Sequence, residues 1–306
     1  MRVVYMGNPA FAVPALRAIH LSTHQLVAVV TGPDKPAGRG RQLRPTPVKE
    51  VALELGYPAL QPADLSAPDF HGQLRDLKPD LIVVLAFKFL PDEVLQIPPM
   101  GAINLHPSLL PAYRGAAPIR HALMQGETVT GVTTIAISSR IDAGDICLQR
   151  EVAIEADDDH GSLSDRLAAI GADLLVETID GLETGSLKPR PQGEDPGKRR
   201  APKIGPADMH IDWSQPSANI VNRIRAFSPA PGAVTQLNGK RLKIFSAETG
   251  TGQGRPGLVL RQNGQLEVAA LSGSVRCKLV QLEGKQRMAT ADFLKGTPVA
   301  AETRLG

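Results

Sequence analysis

Residues 81–86 read LIVVLA, an unbroken apolar run no longer than one strand. A strand with one wet face alternates polar and apolar residues. A run with no polar position is covered on both faces, which needs helices packed above and below a sheet. The neighbouring sequence supplies them. Strand-like segments at 3–6, 26–31, 102–105 and 132–137 alternate with helical patterns at 11–20, 48–55, 117–125 and 162–182. This βαβα rhythm predicts an α/β fold, a doubly wound and mainly parallel sheet that takes its ligands at the carboxyl ends of the strands.

The rhythm stops at residue 188. Residues 188–206, KPRPQGEDPGKRRAPKIGP, are dominated by proline, glycine and charge and read as a linker or a long crossing loop. One helix at 217–226 follows, then short segments at 233–237, 242–247, 257–260, 266–270 and 275–282, most of them separated by Gly, Asn or Ser. That pattern suits a small β-barrel or sandwich. The expected organisation is a catalytic-type domain over 1–187, a linker over 188–206 and a β domain over 207–306. A chain of 306 residues is long enough for both cores.

Charge divides along the same line. Residues 1–187 hold 15 Lys and Arg against 22 Asp and Glu, while residues 188–306 hold 19 against 9. The halves therefore carry −7 and +10, which give the net +3. A basic second half is consistent with a polyanionic partner and equally with a basic surface that has none. The 33–49 loop adds Lys35, Arg39, Arg41, Arg44 and Lys49 around Gly38 and Gly40, a flexible cationic segment able to follow a phosphate backbone.

Other features point away from other classes. Cys147 and Cys277 are far apart and lack metal-ligand spacing, which fits reduced thiols in the cytoplasm. The opening Met1-Arg2-Val3-Val4-Tyr5-Met6 reads as a first strand rather than a signal peptide, and no apolar stretch is long enough for a bilayer. Met6-Gly7-Asn8-Pro9 lacks the glycine spacing of a dinucleotide fingerprint. The Asp157-Asp158-Asp159-His160 run reads as a helix cap rather than a metal site, and Trp213 beside Ile211 as core rather than a stacking platform.

The chemistry concentrates at Ile103-Asn104-Leu105-His106-Pro107-Ser108-Leu109-Leu110-Pro111. Asn104 and His106 are two apart, so in extended chain they share a face, at a strand end where α/β folds place ligands. Taken alone, such a pair could also serve only to satisfy loop backbone. Arg140-Ile141-Asp142-Ala143-Gly144-Asp145 follows the 132–137 strand, and Asp142 would raise the pKa of His106 if the two met.

Asn104-x-His106-Pro107-Ser108-Leu109-Leu110-Pro111, with Asp142 a further 36 residues beyond the His, resembles the 10-formyltetrahydrofolate-dependent formyltransferase family. The resemblance implies a Rossmann-like catalytic domain and an OB-like carboxyl-terminal barrel. It also implies Asn104, His106 and Asp142 as catalytic residues, Ser108, Leu109, Leu110 and Pro111 as part of the folate site, 10-formyltetrahydrofolate as co-substrate, and no metal. Met6-Gly7-Asn8-Pro9-Ala10-Phe11-Ala12-Val13-Pro14, the loop Pro33-Asp34-Lys35-Pro36-Ala37-Gly38-Arg39-Gly40-Arg41, Ile211-Asp212-Trp213 and Ile224-Arg225-Ala226-Phe227-Ser228-Pro229 look like the branch that acts on methionyl-tRNA. That branch implies initiator methionyl-tRNA as acceptor, with Lys35, Arg39, Arg41 and Arg44 as tRNA contacts, in a cytoplasmic monomer. Two departures stand out: Ser228 and Ala230 replace Asn and Trp of the family's Phe-Asn-Pro-Trp-Pro segment, and Ala143 stands where Thr is common.

In formyl transfer an amine attacks the formyl carbon, an oxyanion develops and the folate nitrogen leaves. The Asn104 amide and a protonated His106 would donate to the oxyanion, with Asp142 keeping His106 charged and accepting the amine proton directly or through water. An amino-sugar nucleotide acceptor, water as acceptor, and an RNA-binding module with an inert enzymatic half are the competing readings. The cationic loop and basic second half favour tRNA.

Overall fold

The computed structural model describes residues 1–37, 42–195, 197–261, 264–300 and 303–306. The chain forms two compact units interleaved in sequence. The first takes Met1–Gly115, Val129–Ala153 and Ser164–Arg200; the second takes Ala116–Thr128, Ile154–Leu163 and Ala201–Gly306.

The strands of the first unit are β1 (Arg2–Gly7), β2 (Gln25–Val30), β3 (Lys35–Ala37), β4 (Gln42–Arg44), β5 (Ala59–Leu60), β6 (Leu81–Leu85), β7 (Ala102–His106), β8 (Val129–Ala136) and β9 (Ile146–Ala153). Seven of them form one sheet in the order β5-β2-β1-β6-β7-β8-β9, while β3 and β4 pair with each other. In sheet order β5 through β7 run parallel, β8 runs antiparallel to β7, and β9, antiparallel to β8, returns to the common direction. The chain winds outward from β1 in one direction to β5, then returns to β6 and winds the other way. The switch lies between β1 and β6, next to β7, where doubly wound sheets open a crevice at their carboxyl ends.

Burial follows the sequence logic. All five residues of β6 are buried, as an apolar run covered on both faces requires. The helices of the first unit are α1 (Val13–Leu21), α2 (Pro47–Glu54), α3 (Pro68–Asp76), the single turn α4 (Asp92–Leu95) and most of α6 (His160–Glu183); α5 (Pro118–Met124) precedes α6 in the chain and belongs to the second unit. Thr46 caps α2 by accepting from the Lys49 amide at 3.1 Å, and Pro47 fills the first helical position, where no amide partner is lost. α1 buries Ala15, Leu16 and Ile19 at helical spacing. α6 lies close on β7: a Cβ at Gly171 would sit 2.6 Å from a methyl of Leu105, so the bare glycine backbone is what admits that side chain.

The second unit carries α5 and α7 (Ser217–Ala226), the strands β10 (Ala233–Leu237), β11 (Lys240–Gly250), β12 (Val259–Arg261), β13 (Leu266–Ala269), β14 (Ser274–Leu282) and β15 (Met288–Ala289), and α8 (Thr290–Gly296). The strand order is β10-β11-β14-β13-β12, antiparallel throughout, with β15 on β14. Residues 303–306 link the two outer strands. The Val259 amide donates to the Thr303 carbonyl at 2.9 Å, Leu305 to Gly257 at 2.8 Å and Gly306 to Gln236 at 3.2 Å. The curled sheet thereby satisfies both its edges, the problem a barrel solves. Trp213 is 5% exposed and its indole N–H donates to Thr235 Oγ1 at 3.0 Å, so it is core, as its apolar neighbour suggested. Phe227 is fully buried beneath the Arg120 guanidinium, whereas Ala230 is exposed; the aromatic missing from the family's segment would stand at a surface position.

Candidate active site

β7 and β8 bring the sequence motifs together at the carboxyl end of the parallel sheet. In the β7–β8 ladder Asn104 faces Ile135 and His106 faces Thr133, and Asn104 also sits beside Val84 of β6. The Asn104 side chain is half-buried and makes no hydrogen bond among the described residues, so its amide is open to a ligand. His106 is 4% exposed. Its Nε2 lies 3.0 Å from the Tyr113 carbonyl, and its Nδ1 lies 3.6 Å from Asp142 Oδ1. A carbonyl can only accept, so the Nε2 proton is fixed there. Nδ1 then faces the carboxylate across a gap too long for a hydrogen bond.

Both neighbours favour a proton on the ring, yet burial outweighs them and holds the His106 pKa below its ordinary value. Desolvation thus opposes the pull that Asp142 exerts on the ring. A lowered pKa favours the neutral ring at neutral pH, with Nδ1 facing Asp142. Sequence alone predicts the carboxylate's pull; the opposing desolvation comes from packing.

The Asp142 carboxylate is anchored on its other side. Its Oδ2 accepts from the Gly115 amide at 2.9 Å. Asp142 itself takes φ +51°, and Tyr113 and Gly115 take φ +60° and +132°, so the site is framed by two turns in the left-handed region. The Ser108–Pro111 loop is equally fixed. Ser108 Oγ donates to the Ala112 carbonyl at 2.7 Å, Thr133 Oγ1 donates to the Ser108 carbonyl at 2.6 Å, and Gln149 Nε2 donates to the Leu110 carbonyl at 2.8 Å. Ser108 and Leu110 are buried within the protein, and Leu109 and Pro111 are half-buried. Leu109 lies over Gly131, where a Cβ would come within 2.5 Å of it.

Beside β7, at the end of β6, Ala86 takes φ +46° and the chain leaves Phe89 58% exposed. Phe89 lies in the loop that leaves the carboxyl end of the central strand. Its signal in the sequence is the Phe87-Lys88-Phe89 segment after the apolar strand, of which Phe87 is half-buried and Phe89 exposed.

The cationic loop folds into the β3–β4 hairpin, with Lys35 paired across from Arg44 and both side chains exposed. Neither has an ion-pair partner among the described residues. Arg39 and Arg41 lie outside the described residues. Lys49 is not free: its ammonium binds both oxygens of Asp34 at 2.8 Å, and with Gln61 it holds that carboxyl below the usual range. In the second unit Lys203, Lys240, Arg255 and Lys285 are exposed and unpaired among the described residues, whereas Lys278 and Arg241 are matched by Glu248 and Glu283. No helix of the described residues is long and apolar enough to cross a membrane. Among these residues one His–carboxylate group is compact enough to hold an ion, His24 with Asp180 and Glu183, at the amino end of β2 and so at the opposite end of the strands from Asn104 and His106.

Cys147 and Cys277 are both buried, and burial lifts their thiols to about 11 and about 12, so neither is an available nucleophile. The arrangement can donate hydrogen bonds to a developing oxyanion and move one proton, without a covalent intermediate.

The formyl transferase family model matches residues 1–179, and the model for the formyl transferase carboxyl-terminal domain matches residues 203–298. A methionyl-tRNA formyltransferase of Pelobacter propionicus is 47% identical over 306 residues, covering 99% of this chain and 96% of its own. Among solved structures, the N-formyltransferase of Helicobacter canadensis, in complex with folinic acid and dTDP-3-aminofucose, superposes with TM-score 0.68 at 17% identity, covering 90% of this chain and 98% of that one. HypX of Aquifex aeolicus, in complex with tetrahydrofolic acid, gives TM-score 0.65 at 23% identity over 96% of this chain and 47% of its own. At those identities the two structures bear on the fold, and the full-length relative and the two domain models bear on descent. The chain belongs to the formyl transferase family.

Proposed function

We propose that this enzyme transfers the formyl group of 10-formyltetrahydrofolate to the amino group of initiator methionyl-tRNA. The observation that carries the chemistry is the meeting of Asn104, His106 and Asp142, from two separated stretches of sequence, at one strand end. The acceptor rests on the full-length relative and on the unpaired cations of the hairpin and the second unit. One chain supplies the whole trio, so transfer needs no residue from a second subunit.

The folate lies against Leu109, Pro111 and the exposed Phe89, with its formyl carbonyl at the Asn104 amide. The methionyl amine attacks the formyl carbon, forming a C–N bond and an oxyanion. The amine's proton passes to Nδ1 of the neutral His106, where Asp142 stabilises the resulting imidazolium. Asn104 Nδ2 and the charged imidazole hold the oxyanion while it exists. Collapse breaks the bond to the folate nitrogen, and the proton held by the His106–Asp142 pair goes to that nitrogen. Proton and electron pair balance without any enzyme-bound acyl group. Cytoplasmic folate and tRNA are the substrates, and the protein's own groups supply the proton transfer.

Three parallel incubations with 10-formyltetrahydrofolate test the assignment, with methionyl-tRNA, with an amino-sugar nucleotide, and with buffer alone. Formyl-methionyl-tRNA is the expected product. Product only with the sugar nucleotide would move the acceptor, and formate release in buffer at the same rate would make water the acceptor.

A further inference from the structure

The stretch 188–206 does more than connect. Arg190 exchanges two backbone hydrogen bonds with Ile146 at the start of β9, at 2.7 and 2.9 Å, and this brings Gln192 against the candidate site. The Gln192 amide nitrogen donates to the Asp142 carbonyl at 3.0 Å and to the Gly144 carbonyl at 2.6 Å. Its Oε1 accepts from Arg114 Nε at 3.0 Å and from the Arg114 terminal nitrogen at 2.5 Å. One half-buried side chain thus makes four hydrogen bonds and joins two loops.

Those two loops set the geometry of the His106–Asp142 pair. Asp142 projects its carboxylate from a left-handed backbone conformation, which Asp adopts more readily than most residues with a Cβ. Arg114 lies between Tyr113, whose carbonyl takes the His106 Nε2 proton, and Gly115, whose amide holds the Asp142 carboxylate. The carbonyls that Gln192 engages are those of the Asp142 turn itself. The Asp142 carboxylate on the Gly115 amide ties the loops directly, and Gln192 adds a second tie from outside both.

We infer that Gln192 is a positioning residue for formyl transfer, holding the Asp142 turn and the Tyr113–Gly115 turn at one fixed separation so that the carboxylate faces His106. This rests on the assignment of Asp142 to the proton-transfer pair. Gln192 touches no substrate; it acts through Asp142.

The test is a double-mutant cycle on the full chain with Gln192→Ala, Asp142→Ala and the pair, read by kcat and KM for methionyl-tRNA and for folate, kcat against pH, and thermal unfolding. A displacement of the carboxylate by about an ångström lowers kcat on the order of a hundredfold. Gln192→Ala is therefore expected to lower kcat by roughly tenfold to a hundredfold, to leave both KM values within about threefold, and to move the acid limb of the pH profile. The double variant is expected to be no worse than Asp142→Ala, because residues acting as one unit are not additive. Gln192→Glu keeps the acceptor for Arg114 but sets a carboxylate against two carbonyls. It serves if the alanine variant does not fold, and the same kcat loss is expected. Full kcat with a lowered melting temperature would make Gln192 merely structural and overturn the inference, as would additive losses. Near-normal transfer by Asp142→Ala would instead remove the assignment of Asp142, an outcome the cycle reports separately.

Discussion

Gly144→Ala is a small change with a large expected effect. Gly144 has no need of a left-handed conformation; its constraint is space. A Cβ there would lie 1.7 Å from the Ala136 carbonyl oxygen and 2.9 Å from its carbon. Both are backbone atoms of β8, paired into the sheet through the Ala136 amide and the Asp145 carbonyl at 2.9 Å, so β8 cannot yield cheaply. Real Cβ contacts do not fall below 3.0 Å, and the turn must therefore retreat by more than an ångström. Asp142 is two residues away on the same turn, and the Gly144 carbonyl is one of the bonds that hold it. A shift of that size costs about a hundredfold in rate, or about 2.7 kcal/mol of transition-state stabilisation. Single-turnover formation of formyl-methionyl-tRNA, with saturating folate, measures it directly. Circular dichroism and the urea midpoint establish that the variant is folded. A folded Gly144→Ala enzyme with unchanged single-turnover rate would refute the claim that the turn's position governs transfer.

Three further outcomes follow from other parts of the structure. Replacing both hairpin cations, Lys35→Ala with Arg44→Ala, should flatten the plot of log affinity for methionyl-tRNA against log salt by about 1.4 to 1.8, since each phosphate contact contributes about 0.7 to 0.9; an unchanged slope would mean the hairpin does not meet the RNA. His160 is half-buried at the start of α6, and desolvation, aided by Arg120, lowers its pKa from 6.5 to about 4. The fold therefore holds the neutral ring, its stability is complete above pH 6.5, and about 3 kcal/mol drains away as pH falls toward 4; denaturant unfolding of His160→Gln should lose most of that pH dependence, and an identical profile would contradict it. Leu105→Ala, which empties the space facing Gly171, should destabilise the first unit by roughly 3 kcal/mol in urea titration; a loss below about 1 kcal/mol would mean the helix collapses into the gap.

What was legible in the sequence, and what was not, follows from how local each cause is. The 81–86 run and the helix at 217–226 are set by burial pattern within one segment, and the structure matches them to within a residue. The segments at 233–237 and 275–282 are likewise found as β10 and β14. By contrast β9, with its ICLQREVA sequence, has no clean alternation, because its pairing with β8 and not its own periodicity makes it a strand. The β3–β4 hairpin is short and exposed, without a buried face to leave a pattern.

At the site the residues that meet were named by motif and spacing, and Asn104, His106 and Asp142 do share one strand end. The charge state of His106 was not legible, because desolvation is a property of everything packed around the ring. Nor was Gln192. A glutamine that bonds backbone carbonyls in a loop carries no periodicity and no partner residue type, and the stretch around it reads as a linker. Lys49, grouped by composition with the free cations, is held by Asp34, an ion pair that depends on where α2 begins.

The most direct measurement is pre-steady-state transfer of the formyl group from 10-formyltetrahydrofolate to methionyl-tRNA by the wild-type chain, Asn104→Ala and His106→Ala, with folate binding followed on the same samples. Transfer by the wild type is expected, with losses on the order of a hundredfold to a thousandfold in each variant while folate affinity stays within a few-fold. Near-normal transfer by either folate-bound variant would contradict the role given to that strand end.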